Sequence, residues 1–338
     1  MMNNTILLGH GSGGKLSHDL IKELFVNHFS NAVLTEQTDA AIVKIATGQI
    51  ALTTDSFVVD PVFFPGGDIG KLAVAGTVND LAVSGARPLY LSASFIIEEG
   101  FPFADLERIV KSMADEAKKA GVIIVTGDTK VVNRGKCDKV FINTTGIGEI
   151  EPGNLSIGSG SGIQPGDQII INGTLADHGM AVMAAREELS FKTNIQSDCA
   201  CLNHLIQEAL SVTSQIRFMR DATRGGLATV LCELAENKRF GIEIDEAALP
   251  VNENVRGMCE LLGFDPLYVA NEGKVVMVVG KEDAEKVVEA LRKNELGKEA
   301  AIIGKIVDDH HGRAWLTTGI GGRRIIDMLA GEQLPRIC

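Results

Sequence analysis

The sequence predicts a two-domain α/β protein that ends in a short tail, and three observations lead to this prediction. The chain has 338 residues, a length typical of two domains. Short β-branched runs such as residues 122–125 alternate with helical segments such as residues 102–120. A stretch rich in glycine and serine, residues 152–162, separates the two halves and is typical of a linker or a mobile loop. The predicted domains are residues 1–155 and 156–330, followed by a mobile tail, residues 331–338.

The individual elements follow from apolar runs and from helix-capping residues. Asp68 is a predicted N-cap for a nearly apolar helix that ends at about Ser84, where Gly85 and Pro88 stop it. Further predicted helices cover residues 102–120, 174–188, 198–213, 227–237, 252–262 and 282–293. Predicted strands cover residues 50–54, 88–97, 122–125, 139–150, 168–171, 241–244, 275–279, 301–307 and 313–317.

Composition excludes several classes of protein. The net charge of −12 argues against a general nucleic-acid binder, because such binding depends on neutralising phosphates. No run of 18 apolar residues is present, so we expect no membrane span. The N-terminus lacks the pattern of a signal peptide. Six scattered cysteines include no zinc-ligand spacing, and a reduced cytoplasmic protein fits them well.

A glycine-rich loop, residues 9–14, precedes an amphipathic stretch near the N-terminus. Gly11, Gly13 and Gly14 expose backbone N–H groups of the kind that cradle phosphate. The loop matches neither a Walker A motif nor a dinucleotide-binding fingerprint. A flexible N-terminal arm is an equally good interpretation of these residues.

Aspartates recur after apolar stretches in the first half of the chain. Asp39, Asp55 and Asp128 are each predicted to stand at the end of a strand, where metal and phosphate chemistry often collects. Lys130 follows Asp128 closely and offers a cation for phosphate. Asp80 interrupts the apolar helix, and an unpaired buried carboxylate is costly, so it requires a cation or several donors. The alternative for each aspartate is a cap, a turn or a salt bridge.

The second half contains three further candidate functional features. The sequence DATRGG (residues 221–226) precedes a helix, so Arg224 and the free N–H groups form a good phosphate site, while Asp221 is a natural cap if no metal is present. Glu272 lies between two apolar runs, where partial burial would raise its pKa toward that of a general base; a plain turn residue is the alternative. Cys338 stands in the predicted tail, which suits a thiol that visits more than one site.

Taken together, the motifs resemble the aminoimidazole-ribonucleotide-synthetase-like ATP enzymes, which bind ATP and Mg²⁺ through dispersed aspartates. The resemblance rests on TTDS at 53–56, VND at 78–80, TGDT at 126–129 and DATRGG at 221–226.

Within that group, other motifs resemble the HypE family, the carbamoyl dehydratases of [NiFe]-hydrogenase maturation. These motifs are GHGSGG at 9–14, TGDTKVVNRG at 126–135, ANEGK at 270–274 and PRIC at 335–338. The resemblance covers essentially the whole chain.

The resemblance implies a two-domain PurM-like α/β fold that forms a homodimer through its N-terminal sheets. The HypF carbamoyltransferase would place a carbamoyl group on Cys338. The chain would then use ATP to dehydrate this S-carboxamide to an S-cyanate, the source of the cyanide ligands of the iron. The HypC–HypD complex would receive the cyano group.

The resemblance also implies roles for residues. The implied catalytic residues are Cys338, Glu272 and Lys130. The implied Mg²⁺ ligands are Asp39, Asp55, Asp80, Asp128 and Asp221. The implied nucleotide contacts are Gly11, Gly13, Gly14, Asn79, Asp80, Asp128, Lys130 and Arg224.

Three other kinds of ATP enzyme and a non-catalytic carrier are the alternative functions. A selenophosphate synthetase needs a reactive cysteine or selenocysteine near its N-terminus, and residues 9–14 contain none. An aminoimidazole ribonucleotide synthetase or a thiamine-phosphate kinase has no use for a thiol in the tail. A non-catalytic carrier that shuttles a thiol-bound group is the alternative from another class. ATP hydrolysis that falls in Asp80→Asn would exclude the carrier.

Overall fold

The structure is a computed structural model. It describes residues 5–11, 15–35, 43, 45–46, 48–186, 193–328, 334 and 336–338. Three of the predicted site residues, Gly13, Gly14 and Asp39, lie outside the described residues.

Helices and strands alternate along both halves of the chain. The α-helices are α1 (Lys15–Leu20), α2 (Asn27–Phe29), α3 (Ala32–Thr35), α4 (Ile69–Val83), α5 (Phe103–Ala120), α6 (Asp177–Ala184), α7 (Asn203–Val212), α8 (Gly226–Ala235), α9 (Glu253–Leu262) and α10 (Ala284–Leu291). The strands are β1 (Ile50–Phe57), β2 (Phe63–Phe64), β3 (Gly67–Asp68), β4 (Ala86–Glu98), β5 (Ile123–Val132), β6 (Val140–Ile150), β7 (Gln168–Ile171), β8 (Ile216–Asp221), β9 (Gly241–Asp245), β10 (Val275–Val279), β11 (Ala301–Val307), β12 (Ala314–Thr317) and β13 (Arg323–Ile326). A π-helical stretch (Ile21–Val26) joins α1 to α2.

Short 3-10 helices complete the described elements. They are Leu8–Gly11, Pro152–Asn154, Glu246–Ala248, Pro266–Tyr268, Lys281–Asp283 and Glu295–Gly297.

The first half forms a four-stranded sheet in the order β1-β6-β4-β5. β1 and β6 are antiparallel, whereas β4 and β5 are parallel because α5 makes the crossover between them. The predicted stop of α5 is confirmed, since Gly121 follows it with a left-handed φ of 72°. β1 and β5 therefore lie at opposite edges of this sheet.

The second half forms a seven-stranded sheet in the order β13-β12-β9-β11-β7-β10-β8. The strand β10 lies between β7 and β8 and is buried along its whole length, as expected for an uninterrupted run of valine and methionine. The predicted strand over residues 301–307 is confirmed by β11, whereas β8 and β13 were not predicted. The strand β8 lies at one edge of the seven-stranded sheet and ends at Asp221. The Asp221 carboxylate therefore lies beside the first half of the chain.

Helix α4 connects the two halves and is buried along nearly all of its length. Its predicted cap is confirmed: the Asp68 carboxylate accepts hydrogen bonds from the N–H groups of Gly70 and Lys71. Residues of both halves share one hydrophobic core around this helix, including Met180 and Val255 from the second half. The shared core fixes the position of Asp80 relative to strands of both sheets.

Two aspartates lie inside strands, contrary to the prediction that they stand at strand ends. Asp55 pairs with Thr144 within β1, and Asp128 pairs with Ser94 within β5. Gly127 marks a close approach of β5 to β4, because a Cβ there would lie 2.0 Å from the Ala93 carbonyl oxygen. Pairing with a neighbouring strand extends both β1 and β5 past these aspartates.

Two other expectations also differ from the structure. The serine- and glycine-rich segment, predicted as a linker or a mobile loop, contains the buried Ile157, and Asn154 donates a hydrogen bond to Gly85. Asp221 is not a helix cap: α8 begins five residues later, and Gly225 occupies the N-cap position. The Asp221 carboxylate therefore does not cap α8 and can bind another group.

Among the described residues, no helix is long and apolar enough to cross a bilayer.

Candidate active site

One cavity brings together most of the acidic residues that the sequence singled out. It has a volume of about 210 Å³. Its walls come from β1, α4, the end of β8 with the loop after it, the turn before β10, and the tail. The lining residues are Thr54, Asp55, Phe57, Gly76, Asp80, Asp221, Thr223, Arg224, Glu272 and Cys338.

Asp80 reaches the cavity from the middle of α4. The hydroxyl of Thr53 donates a hydrogen bond of 2.9 Å to its carboxylate. One turn earlier, Gly76 also lines the cavity, where a Cβ would lie 2.9 Å from the Phe57 ring. Glycine is therefore required to keep this wall of the cavity open.

The carboxylates of the cavity repel one another. Burial and the neighbouring Asp80 charge raise the pKa of Asp221 to about 7. Burial also raises the pKa values of Asp55 and Asp80, while the Arg224 guanidinium acts in the opposite direction on both. The cavity therefore carries unbalanced negative charge and favours a cation.

Glu272 is the most deeply buried acid of the cavity, with 3% of its surface exposed. Burial raises its pKa well above the usual value, and the charges of Asp221 and Asp198 add to the shift. Within the described part of the chain, its Oε1 atom is buried and has no hydrogen-bond partner. A buried, unpaired carboxyl oxygen on the cavity wall indicates a group that can form a hydrogen bond with a bound ligand.

The backbone around Glu272 is held from both sides. Asp198 accepts hydrogen bonds from the N–H groups of Glu272 and Gly273 and from the Lys274 ammonium. The Asn79 amide donates to the Glu272 carbonyl at 3.4 Å. This turn is therefore rigid, which fixes the direction of the Glu272 side chain.

Asn79, a predicted nucleotide contact, lies away from the cavity. Its side chain is 2% exposed; it donates to the Ala200 carbonyl and accepts from the Leu202 N–H. The residue does not line the cavity. Because its amide is committed to backbone groups, its role in this structure is to join α4 to the Glu272 turn, and direct contact with nucleotide stays a prediction.

Cys338 lies in the cavity because the described part of the tail is docked. The Val58 and Asp60 N–H groups donate to the carbonyl oxygens of Cys338 and Arg336, each at 3.1 Å. Ile337 is 4% exposed, and its carbonyl oxygen lies 2.7 Å from His178 Nε2. The resting position of the thiol, which the sequence left open, is therefore inside the cavity.

His178 contacts the docked tail from the second half of the chain. It is fully buried in α6, where burial lowers its pKa and favours the neutral ring. The Cys199 N–H donates to Ser197 Oγ, so the Ser197 hydroxyl can donate to His178 Nδ1. Nε2 then carries the proton and donates to the tail. No local sequence signal reveals this contact, because its acceptor is 159 residues away.

Asp128 and Lys130 lie apart from these residues in a second cavity. This cavity has a volume of about 200 Å³ and includes His10, Phe25 and Phe95 among its lining residues. Lys130 Nζ lies 3.6 Å from Asp128 Oδ2, and both side chains are more than 60% exposed. Both lie on β5, across the sheet from Asp55 in β1.

Gly11, a predicted nucleotide contact, ends the short 3-10 helix Leu8–Gly11 close to this second cavity, which His10 lines. Its contact with nucleotide stays a prediction, as do the roles of Gly13 and Gly14.

The donor set of the first cavity fits a hard cation such as Mg²⁺. Asp55, Asp80 and Asp221 supply carboxylate oxygens, and burial raises the pKa of each, so a bound cation would stabilise their charged forms. Within the described ranges, however, no three acidic, histidine or cysteine side chains are arranged to hold a metal ion alone. The three carboxylates therefore suit an ion that takes further oxygen ligands from phosphate and water, which is common for Mg²⁺.

The fold and the site agree with a family of known proteins. Residues 37–150 match the family model of the AIR synthase related protein N-terminal domain, and residues 164–317 match the model of its C-terminal domain. The chain belongs to the AIR synthase related family.

Curated relatives narrow the class further. The carbamoyl dehydratase HypE of Cupriavidus necator is 52% identical over 98% of this chain and 94% of its own length. The carbamoyl dehydratase HypE of Escherichia coli K12 is 49% identical over 99% of this chain and 100% of its own length. Within the AIR synthase related family, the chain is a member of the carbamoyl dehydratase HypE family.

Solved structures agree with this placement. A crystal structure of HypE in complex with ATP matches with a TM-score of 0.94 and 49% identity, over 99% of this chain and 100% of that chain. A HypE–HypF complex matches with a TM-score of 0.79 and 51% identity, over 92% of this chain and 99% of that chain. A thiamine monophosphate kinase from Aquifex aeolicus, at 17% identity and a TM-score of 0.60, shares the fold.

The raised pKa of Asp221 predicts a pH-dependent stability. Folding raises this pKa from 3.8 to about 7, so the favourable contribution is present below pH 4 and is lost as the pH rises through 7. Asp221→Asn removes that loss, so the variant exceeds the parent at pH 8 by up to about 4 kcal/mol and matches it near pH 4. Urea unfolding of both proteins without metal or nucleotide measures the difference.

Asp115→Asn, a change on the exposed surface of α5, is the matched control and leaves the pH profile unchanged. A pH-independent difference between the parent and Asp221→Asn would contradict the shift.

Proposed function

We propose that the chain catalyses the ATP-dependent dehydration of an S-carboxamide on Cys338 to an S-cyanate. This reaction supplies the cyanide ligands of the [NiFe]-hydrogenase iron. The observation that carries the proposal is the position of the Cys338 thiol, which shares one cavity with three aspartates, Arg224 and Glu272. A carrier that only shuttled a thiol-bound group would not need such a set of carboxylates around its thiol.

The chemistry requires an oxygen to leave and two protons to be lost. The amide oxygen accepts the γ-phosphoryl group of ATP, which turns a poor leaving group into phosphate. The nitrogen then loses its two protons, the C–O bond breaks, and the C≡N bond is complete. Inorganic phosphate carries away the oxygen, so the net change on the tail is the loss of one water.

The residues of the cavity divide this work. Arg224 stands on the cavity wall and offsets phosphate charge. Asp55, Asp80 and Asp221 would hold Mg²⁺, which neutralises phosphate charge when it is bound. Glu272 faces the thiol-bearing residue across the same cavity and is our candidate for the base that takes a nitrogen proton.

The protonation state of Glu272 depends on its neighbours. Burial raises the pKa of Glu272, and the negative charges of Asp221 and Asp198 add to the shift. Positive charge at the aspartates would offset this repulsion and lower the pKa of Glu272. Filling the nucleotide site would therefore favour the ionised, basic form of Glu272.

A second copy of the chain explains why two groups of predicted site residues lie apart. The first group, on β1 and α4, and the second group, Asp128 and Lys130 on β5, belong to opposite edges of one sheet. The strands of this sheet expose Ile50, Leu52 and Ile123, which suits a dimer interface. We propose a homodimer in which Lys130 of one copy completes the nucleotide site of the other and acts in its reaction.

The partners follow from the reaction. The solved HypE–HypF complex supports a HypF-type carbamoyltransferase as the donor of the carbamoyl group. A HypC–HypD complex would accept the cyano group, since the S-cyanate stays attached to the tail. All six cysteines are described and none forms a disulfide, which is consistent with a reducing compartment, and we propose the cytoplasm.

Mass analysis of the peptide that contains Cys338 tests the proposed reaction. After incubation with HypF, carbamoyl phosphate and ATP, we expect a carbamoylated peptide that then loses one water. Cys338→Ala gives neither product. The control variant Cys232→Ser gives both, because it changes a different thiol, which donates a hydrogen bond to the Ile326 carbonyl. A stable carbamoylated peptide with no loss of water would refute the dehydration.

Glu272→Gln tests the proposed base. The substitution keeps the size of the side chain, so we expect ATP binding to be unchanged and dehydration to slow by about 10²- to 10⁴-fold. Single-turnover loss of water from carbamoylated Cys338 is the measurement. Glu260→Gln on the exposed surface of α9 is the control. Dehydration at full rate in Glu272→Gln would remove Glu272 from this role.

Mixed dimers test the contribution of a second copy. We expect Asp80→Asn and Lys130→Ala to be inactive alone, but a heterodimer of the two regains about half of the parental activity, because one of its two sites is intact. Differently tagged, co-expressed chains supply the heterodimer. A heterodimer of Asp80→Asn with Asp55→Asn is the matched control and stays inactive. No recovery in the first heterodimer would mean that each site belongs to one chain.

A further inference from the structure

Arg336 contacts the body of the protein through both its side chain and its backbone. Its Nε donates to the Val58 carbonyl at 3.0 Å, and its Nη1 forms a salt bridge with Asp138. The guanidinium also lies over the ring of Phe141, 6.0 Å from the centroid. The same residue accepts a backbone hydrogen bond from the Asp60 N–H. These contacts hold the tail two residues before the thiol.

The docked conformation also has identifiable costs. Arg336 has a φ of 51°, in the left-handed region that residues with a Cβ rarely adopt. Its Nη2 atom is buried without a hydrogen-bond partner among the described residues. The tail is also held by backbone hydrogen bonds and by His178, and the Arg186 guanidinium donates to the Arg336 carbonyl. Because the local strain at Arg336 opposes these contacts, loss of its side-chain contacts shifts the balance toward the undocked tail.

None of these contacts involves the residues that line the reaction cavity. Asp138, Phe141 and Val58 are absent from the cavity wall, where only Cys338 represents the tail. The salt bridge is partly exposed, with 34% of the Arg336 and 47% of the Asp138 side chain accessible. Solvent can therefore reach it and compete for both groups.

We propose that Arg336 is a positioning residue that, through Asp138 and the Val58 carbonyl, sets the fraction of time for which the Cys338 thiol faces the cavity. The inference rests on the proposed function for its consequence, but its geometry is independent of it. Carbamoylation by a partner requires the thiol to be outside, and dehydration requires it to be inside. Weakening the Arg336–Asp138 contact therefore accelerates the first step and slows the second.

The primary test measures the exposure of the thiol without any enzymatic step. Alkylation of Cys338 by iodoacetamide is followed by mass analysis, with Cys232 in the same molecule as the reference thiol. We expect Arg336→Ala and Asp138→Ala to raise the rate about tenfold, the size expected for one partly exposed ion pair together with its hydrogen bonds. Asp138→Ala lies outside the tail, so it leaves the sequence that a partner reads unchanged.

A charge exchange separates the contact from general loosening. Arg336→Asp and Asp138→Arg each accelerate alkylation, and the double variant is slower than either single variant because the pair is restored in reverse. Glu295→Gln, which breaks the exposed Lys298–Glu295 pair, is the matched control and leaves the rate unchanged. Single variants within twofold of the parent, or a double variant no slower than the singles, would overturn the proposal.

A second measurement connects the contact to the reaction. In Asp138→Ala, carbamoylation of Cys338 by HypF is faster and the subsequent loss of water is slower than in the parent. A purely structural defect slows both steps, so parallel losses would also overturn the proposal. Failure of the proposed function is distinguishable: the parent would then lose no water, whereas the alkylation rates would still report on Arg336.

Discussion

The mutual repulsion of carboxylates in one cavity is the constraint on which the rest of the site depends. Asp80 and Asp221 come from different halves of the chain, and Glu272 is held beside them by a rigid turn. Burial, and then the neighbouring acids, raise the pKa of each of these groups, which costs folding free energy. The hydrophobic core shared by both halves offsets that cost, and the unbalanced negative charge favours the cation that we propose for this cavity.

Local signals were sufficient for much of the fold. Asp68 and Gly121 marked the beginning of α4 and the end of α5, because capping depends on groups within one helical turn. The strand β11 was predicted over its full length for a similar reason. The positions of Asp55 and Asp128 inside strands were not predictable, because the strands continue through pairing with β6 and β4, and such pairing is not visible in a local window.

The same limit applies to the site. Motifs in the sequence singled out Asp55, Asp80, Asp221, Glu272 and Cys338, and the fold brings all five to one cavity. The residues that support them were missed. His178, Asp198 and Asp138 act on groups that are 74 or more residues away, and each alone resembles an ordinary polar residue in a loop or a helix. A chemical motif can therefore be recognised locally, whereas its supporting contacts depend on the tertiary structure.

The docked position of Cys338 has a consequence for the kinetics. In the proposed reaction the group to be dehydrated is covalently attached to the chain, so its local concentration is fixed by the length and docking of the tail and not by diffusion from solution. Each turnover would be intramolecular with respect to this substrate, so dilution would not slow it. The product would likewise stay attached to the tail until a recipient accepts the cyano group.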